Sequence, residues 1–280
     1  MSAARSAGGR AVGALPCPFV LRLSVDGAAL ECVRHGDPAR GPAAPLVFLH
    51  EGLGSLTQWQ GFPEQVCART GRPGLAWARA GHGRSQPRPG RHEIDYMHHE
   101  ARVVLPEVLD RFGVDRPVLV GHSDGASIAL IAAASLPDRF AGVVLMAPHV
   151  IVEPCTLAGI AAAGEAFRAG SLARGLARHH DDIETLFWSW HDAWLSPPFA
   201  GWDLTGLLGS VTAPVLLVQG DADQYGTMRQ LDLIEQGVRG PVSRLELAGC
   251  GHSPHVERRE ATLEAVVSFV ATSAGPAGSS

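Results

Sequence analysis

The sequence lacks any run of about 18 consecutive apolar residues, the length that a membrane-spanning helix needs. It also lacks a strong charge of either sign, because 23 Lys and Arg stand against 28 Asp and Glu, giving a net charge of -5. A chain without a basic excess is a poor candidate for binding nucleic acid or for a polybasic membrane anchor. We therefore expect the partner to be a small-molecule substrate, with no nucleic acid and no membrane involved.

Paired cysteines are also missing. The five cysteines are scattered, odd in number and include no CxxC pair, which favours free thiols in a reducing compartment over a disulfide framework. Residues 1–18 have Arg5 and Arg10 among small residues and no continuous apolar core of the kind that a signal peptide needs. We interpret 1–18 as a flexible leader and 273–280 as a similar tail, and we expect a cytoplasmic protein. A homo-oligomer is compatible with these features.

What the sequence does contain is a sizeable apolar fraction, 46% against 18% charged residues, in a chain of 280 residues. This is enough for one large α/β domain with a buried core. Eight short β-type runs occur, at 20–25, 30–35, 46–50, 75–79, 118–121, 143–147, 215–219 and 244–247. Several are continuously apolar rather than alternating, which is typical of parallel strands covered on both faces.

Helix-like stretches separate the later strands, at 93–112, 123–135, 228–238 and 258–272, with Pro106 as a kink or break in the first. No helix separates the first two strands, which therefore favour an antiparallel hairpin. The alternation that follows predicts an α/β fold with a mostly parallel, eight-stranded, doubly wound sheet flanked by helices. We assign 19–148 and 211–272 to this core.

The segment 149–210 interrupts this alternation, because no clear strand occurs in it. About 60 residues are too many for an ordinary loop, so we predict a helical cap over the site. The segment holds four of the six tryptophans, and most of these are expected simply to pack. Binding pockets are mainly apolar and aromatic, so we expect Trp188 and Trp194 to line one, together with His149 at the mouth of the cap.

Metal ligation is a weaker interpretation of the histidine pairs at 98–99 and 179–180. Adjacent residues on a helix do not face the same way, and no third ligand stands at a plausible spacing. We expect neither a metal nor a cofactor.

The strongest local signal is the pentapeptide Gly121-His122-Ser123-Asp124-Gly125, a G-x-S-x-G motif between a predicted strand and a predicted helix. A tight strand-to-helix turn lifts the serine hydroxyl off the sheet, and flanking glycines relieve crowding there. The helix N-terminus adds free N–H groups and positive potential, which favour a developing oxyanion. The motif therefore indicates Ser123 as a nucleophile.

An acid and a base follow in the order that this turn requires, each directly after a later strand. The acid is Asp221 or Asp223, and the base is His252 or His255. We favour His252 because it comes first after its strand. The histidine would take the serine proton, and the aspartate would fix its tautomer and stabilise the imidazolium.

From about residue 20 to 272 the chain resembles the α/β-hydrolase family. LHEGLGS at 49–55 is similar to the family's His-Gly loop, RAGHGRS at 79–85 to its R-x-G-x-G-x-S segment, GDAD at 220–223 to its G-x-x-D acid turn and GH at 251–252 to its base turn. The resemblance implies Asp223 as the acid. It also implies an oxyanion hole made by the backbone N–H of Asp124 and that of Gly52, with Leu53 as the alternative to Gly52.

Glu51 departs from the family pattern, which usually has glycine at this position. A carboxylate beside an oxyanion hole opposes negative charge, so we expect the side chain to point away or to bond to a neighbouring loop. The alternative is that Glu51, like its neighbour Leu53, contacts the substrate, for example by holding a hydroxyl or positioning a water.

Together these features predict a serine hydrolase that acts by acyl transfer, through an acyl-Ser123 intermediate, on a small to medium apolar or aromatic carboxylic ester or lactone. The motifs are also similar to those of hydrolases of aromatic-compound degradation, which gives a carbon–carbon bond hydrolase of ring-opened diketo acids as one alternative. A cofactor-free perhydrolase would use the same triad. A non-catalytic binding protein of the same fold is the alternative from a different class.

Overall fold

The computed structural model describes residues 19–39, 43–87 and 94–273, so the predicted leader and all of the predicted tail except Ser273 lie outside the described residues. Eight strands form one sheet in the order β1-β2-β4-β3-β5-β6-β7-β8. The strands are β1 (Phe19–Val25), β2 (Ala28–His35), β3 (Leu46–Leu49), β4 (Gly74–Trp77), β5 (Val118–His122), β6 (Gly142–Met146), β7 (Val215–Gly220) and β8 (Val242–Leu247).

The pairing of these strands confirms the predicted sheet. β1 and β2 form an antiparallel hairpin, β2 is antiparallel to β4, and every other neighbouring pair is parallel. Each residue of β3 to β7 is buried. Hydrophobic clusters lie on both sides of the sheet, which explains why these strands are continuously apolar in sequence.

Helices cover both faces of the sheet. They are α1 (Phe62–Thr70), α2 (Tyr96–His99), α3 (Leu105–Arg111), α4 (Asp124–Ser135), α8 (Arg229–Gly237), α9 (Pro254–Glu257) and α10 (Arg259–Ser273), with α5 to α7 described below. A π-helical segment, Glu100–Val104, joins α2 to α3 directly before Pro106. The proline lacks an N–H and crowds the preceding turn, so the widened turn replaces the predicted simple kink. No helix in 19–39, 43–87 or 94–273 is long and apolar enough to cross a membrane.

The segment between β6 and β7 is helical, as its sequence predicts. It contains α5 (Pro154–Arg168), α6 (Ser171–Leu176), α7 (Ile183–Trp194) and the 3-10 turns Pro197–Gly201 and Thr205–Ser210. His180, between α6 and α7, has its Nε2 3.0 Å from the carbonyl oxygen of Leu53. These helices therefore lie over the loop that follows β3. The division of the chain into a core and a cap stays a prediction.

The turn between β5 and α4 is strained and tightly packed. Ser123 has φ 53° and ψ -119°, a backbone conformation that residues other than glycine rarely adopt. A Cβ at Gly125 would overlap the carbonyl oxygen of Leu49, and a Cβ at Gly121 would overlap the first turn of α4. Glycine is therefore required on both sides of Ser123 so that β3, β5 and α4 can approach this closely.

We expect Gly125→Ala to destabilise the fold by about 2–4 kcal/mol, because the new methyl group meets main-chain atoms that have no room to move. Gly206→Ala is the matched control, since a Cβ there meets nothing within 4 Å. Urea unfolding followed by circular dichroism measures both. Equal midpoints for the two variants would show that the turn tolerates a side chain.

Candidate active site

Three side chains from separate loops form one hydrogen-bonded chain at the carboxyl edge of the sheet. The Oγ of Ser123 lies 2.8 Å from Nε2 of His252. On the other side of the ring, Nδ1 of His252 lies 2.9 Å and 2.8 Å from the two carboxylate oxygens of Asp223. The residues that the sequence singled out are thus brought together in the order serine, histidine, aspartate. In this geometry the imidazole can remove a proton from the hydroxyl while the aspartate holds the ring.

Asp223 is held as a carboxylate. Its oxygens also accept hydrogen bonds from the Nε2 amide of Gln219, at 2.7 Å, and from the backbone N–H of Tyr225, at 2.8 Å. Burial alone would raise the pKa of Asp223, but the hydrogen bond and charge of His252 and the hydrogen bond from the Tyr225 backbone lower it below the ordinary value. The rival acid, Asp221, is exposed and accepts instead from the backbone N–H of Gly249, at 2.6 Å.

The loop that carries His252 is fixed from below by His122, whose Nε2 donates to the carbonyl oxygen of His252 at 2.7 Å. The rival base, His255, lies away from Ser123. Its ring packs against Trp59 and Phe62, with centroids 5.0 Å and 5.7 Å away, and it is 4% exposed. Burial lowers the pKa of His255 to about 3, so the ring stays neutral inside the core.

Two backbone N–H groups beside Ser123 are free to receive an oxyanion. Neither the N–H of Asp124 nor that of Gly52 donates a hydrogen bond within the described parts of the chain. The N–H of Leu53, the alternative to Gly52, instead interacts with the Glu51 carboxyl and lowers the pKa of that group. The geometry therefore favours the Gly52 and Asp124 pair over one that includes Leu53.

The loop bearing Gly52 is clamped by residues of the loop that follows β4. The guanidinium of Arg79 donates to the carbonyl oxygens of His50, at 2.6 Å, and Glu51, at 2.8 Å. The backbone N–H of Arg79 donates to Nε2 of His50, and His82 bonds through Nε2 to the carbonyl of Gly52. These contacts give the RAGHGRS segment a structural purpose, because they fix the backbone of the loop that contains Gly52.

The side chain of Asp124 belongs to a buried network that sequence reasoning missed. The hydroxyl of Tyr96 donates to Oδ2 of Asp124 at 2.5 Å, and the indole N–H of Trp194 donates to the Tyr96 oxygen at 3.1 Å. Burial raises the pKa of Asp124, while the charge of Arg79 and the Tyr96 hydrogen bond oppose that rise. The network links α2 and α7 to the first residue of α4.

A cavity of about 60 Å³ opens directly onto Ser123 and His252. Its other lining residues come from the loop after β3, the start of α4, the helical segment and the acid turn: Glu51, Gly52, Leu53, Asp124, His149, Thr156, Ile160, Trp190, Trp194 and Tyr225. A larger groove of about 420 Å³ beside residues 80–87 and the start of α7 contains none of the three chain-forming side chains. The smaller cavity is therefore the candidate substrate pocket.

The structure places Leu53, His149 and Trp194 in the lining of this cavity, together with residues that the sequence analysis did not name. Trp188 lies on a different face of α7. There the Arg168 guanidinium is 4.9 Å from the centre of the Trp188 ring, and the indole N–H of Trp188 donates to Glu184. Trp190 replaces it in the pocket.

The residue spacing along α7 could have predicted that Trp190, and not Trp188, lies on the same side as Trp194. Positions 190 and 194 are four apart and share a helical face, whereas 188 and 190 do not. Tyr225, two residues after the acid, was also missed, although its ring centre is 4.7 Å from that of His252.

Glu51 lines this pocket instead of pointing away from it. Burial raises the pKa of its carboxyl, and the nearby His252 and Arg79 oppose the rise. His149, which is 3% exposed, lines the same pocket, and its Nδ1 has no hydrogen-bond partner among the described residues. Burial lowers the pKa of His149 to about 4, so the ring is neutral near pH 7.

Comparison with known proteins identifies the family of this chain. The model of the alpha/beta hydrolase family matches residues 46–265. The chain therefore belongs to the alpha/beta hydrolase family, and it is a hydrolase enzyme.

Individual relatives are more distant. Human monoglyceride lipase is 34% identical over 138 residues, which is 47% of this chain and 43% of that protein, so the match spans less than half of its length. Mouse monoglyceride lipase is 28% identical over 290 aligned positions, covering 91% of each chain. Among solved structures, 2-hydroxy-6-oxo-6-phenylhexa-2,4-dienoate hydrolase from Rhodococcus sp. strain RHA1 has a TM-score of 0.76 at 16% identity, covering 91% of this chain and 99% of that one. This last likeness shows the shared fold.

We expect Asp223→Asn to lower kcat by about 10⁴-fold, because an amide N–H facing Nδ1 stabilises the wrong tautomer of His252. Asp221→Asn should change kcat little, since an amide oxygen can still accept from Gly249. Steady-state hydrolysis of a chromogenic ester by both variants compares the two acids. A large loss in Asp221→Asn and a small one in Asp223→Asn would reverse the assignment.

The buried neutral histidines predict that the fold weakens in mild acid. Burial lowers the pKa to about 4 for His149 and His180 and to about 3 for His255. Below the ordinary histidine pKa near 6.5, the unfolded chain therefore binds more protons than the folded protein. Stability should be fully present above that value and fall toward pH 4, by up to about 1.4 kcal/mol per pH unit for each group.

His255→Gln should reduce this slope, which urea unfolding at pH 7 and pH 5 measures. Between pH 7.5 and 8.5 the variant and the wild type should show the same slope. Equal slopes between pH 7 and pH 5 would mean that His255 titrates normally in the folded protein.

Proposed function

We propose that this chain is a serine hydrolase that cleaves a small carboxylic ester or lactone with apolar or aromatic substituents, through an acyl-Ser123 intermediate. The observation that carries the proposal is the hydrogen-bonded chain from Ser123 through His252 to Asp223, opening into a pocket with two free backbone N–H groups beside the serine.

The reaction uses these groups in two steps. His252 takes the hydroxyl proton as Ser123 Oγ attacks the ester carbonyl, and the N–H groups of Gly52 and Asp124 bind the resulting oxyanion. The intermediate collapses, the bond to the leaving oxygen breaks, and His252 gives its proton to that oxygen. Water then attacks the acyl-serine with His252 again as base, which releases the carboxylic acid and restores the serine.

The size and charge of the pocket narrow the substrate class. A cavity of about 60 Å³ is small beside the ~300–1,000 Å³ of sites that hold drug-sized ligands, which favours a short acyl or alcohol group. No Lys or Arg lines the described pocket, whereas Glu51 and Asp124 do. A substrate carboxylate would find no Lys or Arg among these lining residues to pair with, so a ring-opened diketo acid fits poorly.

The similarity to monoglyceride lipases also supports an ester substrate over a carbon–carbon bond. The Rhodococcus hydrolase shares the fold at 16% identity, and its substrate does not transfer on that basis.

We expect a small fluorophosphonate to add once to the wild-type protein and not to Ser123→Ala, because the adduct requires an activated serine hydroxyl. Intact-mass spectrometry detects the adduct. Unlabelled wild-type protein is then assayed with a panel of short esters, lactones and thioesters. Circular dichroism confirms that the variant is folded. A folded wild type that is neither labelled nor able to cleave any member of the panel would favour a binding protein with a hydrolase fold.

A further inference from the structure

The pocket contains more carboxyl groups than the hydrolytic reaction needs. Three carboxyl groups surround the catalytic histidine: Asp223, which pairs with it, and Glu51 and Asp124 in the pocket lining. The cation that interacts with Glu51 and Asp124 is Arg79, and its guanidinium donates to main-chain carbonyl oxygens. One buried positive charge therefore stands against two pocket carboxyls, in addition to the Asp223–His252 pair.

Glu51 is the carboxyl left without a side-chain partner. Asp124 receives the Tyr96 hydroxyl, but no side-chain hydrogen bond or ion pair to Glu51 occurs among the described residues. The groups facing it are His252, Asp124, Arg79, Tyr225 and the N–H of Leu53. A desolvated carboxylate is costly unless it is paired, so a bound cation would stabilise the ionised form of Glu51.

The other walls of the pocket also suit a cation. His149 is neutral and buried and lines the pocket, so its ring forms part of the wall without adding positive charge. The ring centre of His252 lies 5.8 Å from that of His149 and 4.7 Å from that of Tyr225. The aromatic rings of Trp190, Trp194 and Tyr225 form much of the remaining lining, and such rings attract cations.

We propose that the substrate carries an ammonium group close to its ester carbonyl, and that the Glu51 carboxylate binds it with His149 and the aromatic walls as further contacts. This inference rests on the proposed serine-hydrolase function. The pocket is a ligand site independently of its acidity, because the serine and histidine open into it. The substrate class is thus a short amino-acid ester or an ester of an amino alcohol.

A bound ammonium group also removes an electrostatic obstacle. Glu51 precedes Gly52, whose N–H faces the oxyanion, and a lone carboxylate there opposes the negative charge that develops in the transition state. Pairing Glu51 with a substrate cation neutralises it at the moment when the oxyanion forms. The correct substrate therefore completes the electrostatics of the site, and a neutral analogue does not.

Two pairs of esters that differ mainly in charge test the proposal. In the acyl pair, alanine methyl ester is compared with methyl isobutyrate, in which a methyl group replaces the ammonium group. In the alcohol pair, choline propionate is compared with 3,3-dimethylbutyl propionate. The measured quantity is the ratio of kcat/KM for the charged ester to that for the neutral one, in the wild type, Glu51→Gln and Glu184→Gln.

We expect the ratio to fall about tenfold or more in Glu51→Gln for at least one pair, because the variant loses a charge-assisted hydrogen bond to the alanine ester and the charge attraction to the choline ester. Differences in intrinsic reactivity cancel when variant and wild type are compared on the same pair. Glu184→Gln makes the same change in net charge outside the pocket, where Glu184 accepts from Trp188, and its ratios should match the wild type. A ratio unchanged by Glu51→Gln in both pairs would overturn the proposal.

A measurement on the wild type alone covers the case in which Glu51→Gln does not fold. n-Butylammonium should inhibit hydrolysis of the neutral ester at least tenfold more strongly than n-butanol, and equal inhibition would overturn the ammonium site. These failures differ from failure of the proposed function. If neutral esters are cleaved without any preference for charge, the hydrolase stands and the ammonium site does not; if Ser123 is not labelled and no ester is cleaved, the hydrolase itself fails.

Discussion

The 2.8 Å contact between Ser123 and His252 joins residues 129 positions apart, and the rest of the structure serves to hold it. A parallel sheet brings these two residues together because β5 to β8 pair in parallel, so the carboxyl ends of β5, β7 and β8 lie along one edge of the sheet. The strained turn at Ser123 persists because glycines let β3 and α4 close on it. The strain is therefore stabilised by packing that extends across the sheet.

A second layer of contacts controls what surrounds that hydrogen bond. His122 fixes the backbone of His252, and Arg79 fixes the loop that presents Gly52. His50 takes part as a neutral ring, since burial holds its pKa well below the ordinary value and Nε2 can accept from the Arg79 N–H. Neutral imidazoles that form hydrogen bonds with main-chain groups thus position the site without adding positive charge beside Ser123 and His252.

The sequence predicted the fold and the serine, histidine and aspartate because each is encoded locally. Apolar runs specify the strands, and the G-x-S-x-G turn carries its own steric requirement. Residues whose position depends on how two helices face each other were harder to predict. Trp188 and Trp190 are almost adjacent in sequence, and only the orientation of α7 decides which one enters the pocket. Tyr96 lies 28 positions before Asp124, and no motif connects the two residues.

Glu51 was expected either to point away from the site or to contact the substrate, and the structure places it in the pocket lining. The expectation that it points away assumed that the pocket would be filled by an oxyanion alone, for which any carboxylate is unfavourable. The structure shows a small site in which acidic groups outnumber the cations that face them, so the field near Gly52 depends on what the substrate brings. Asp124 is compensated within the protein by Tyr96 and Arg79, and Glu51 is compensated less completely. Specificity in such a site follows from the charge left unpaired, because a matching substrate gains affinity while relieving the repulsion that a neutral one leaves in place.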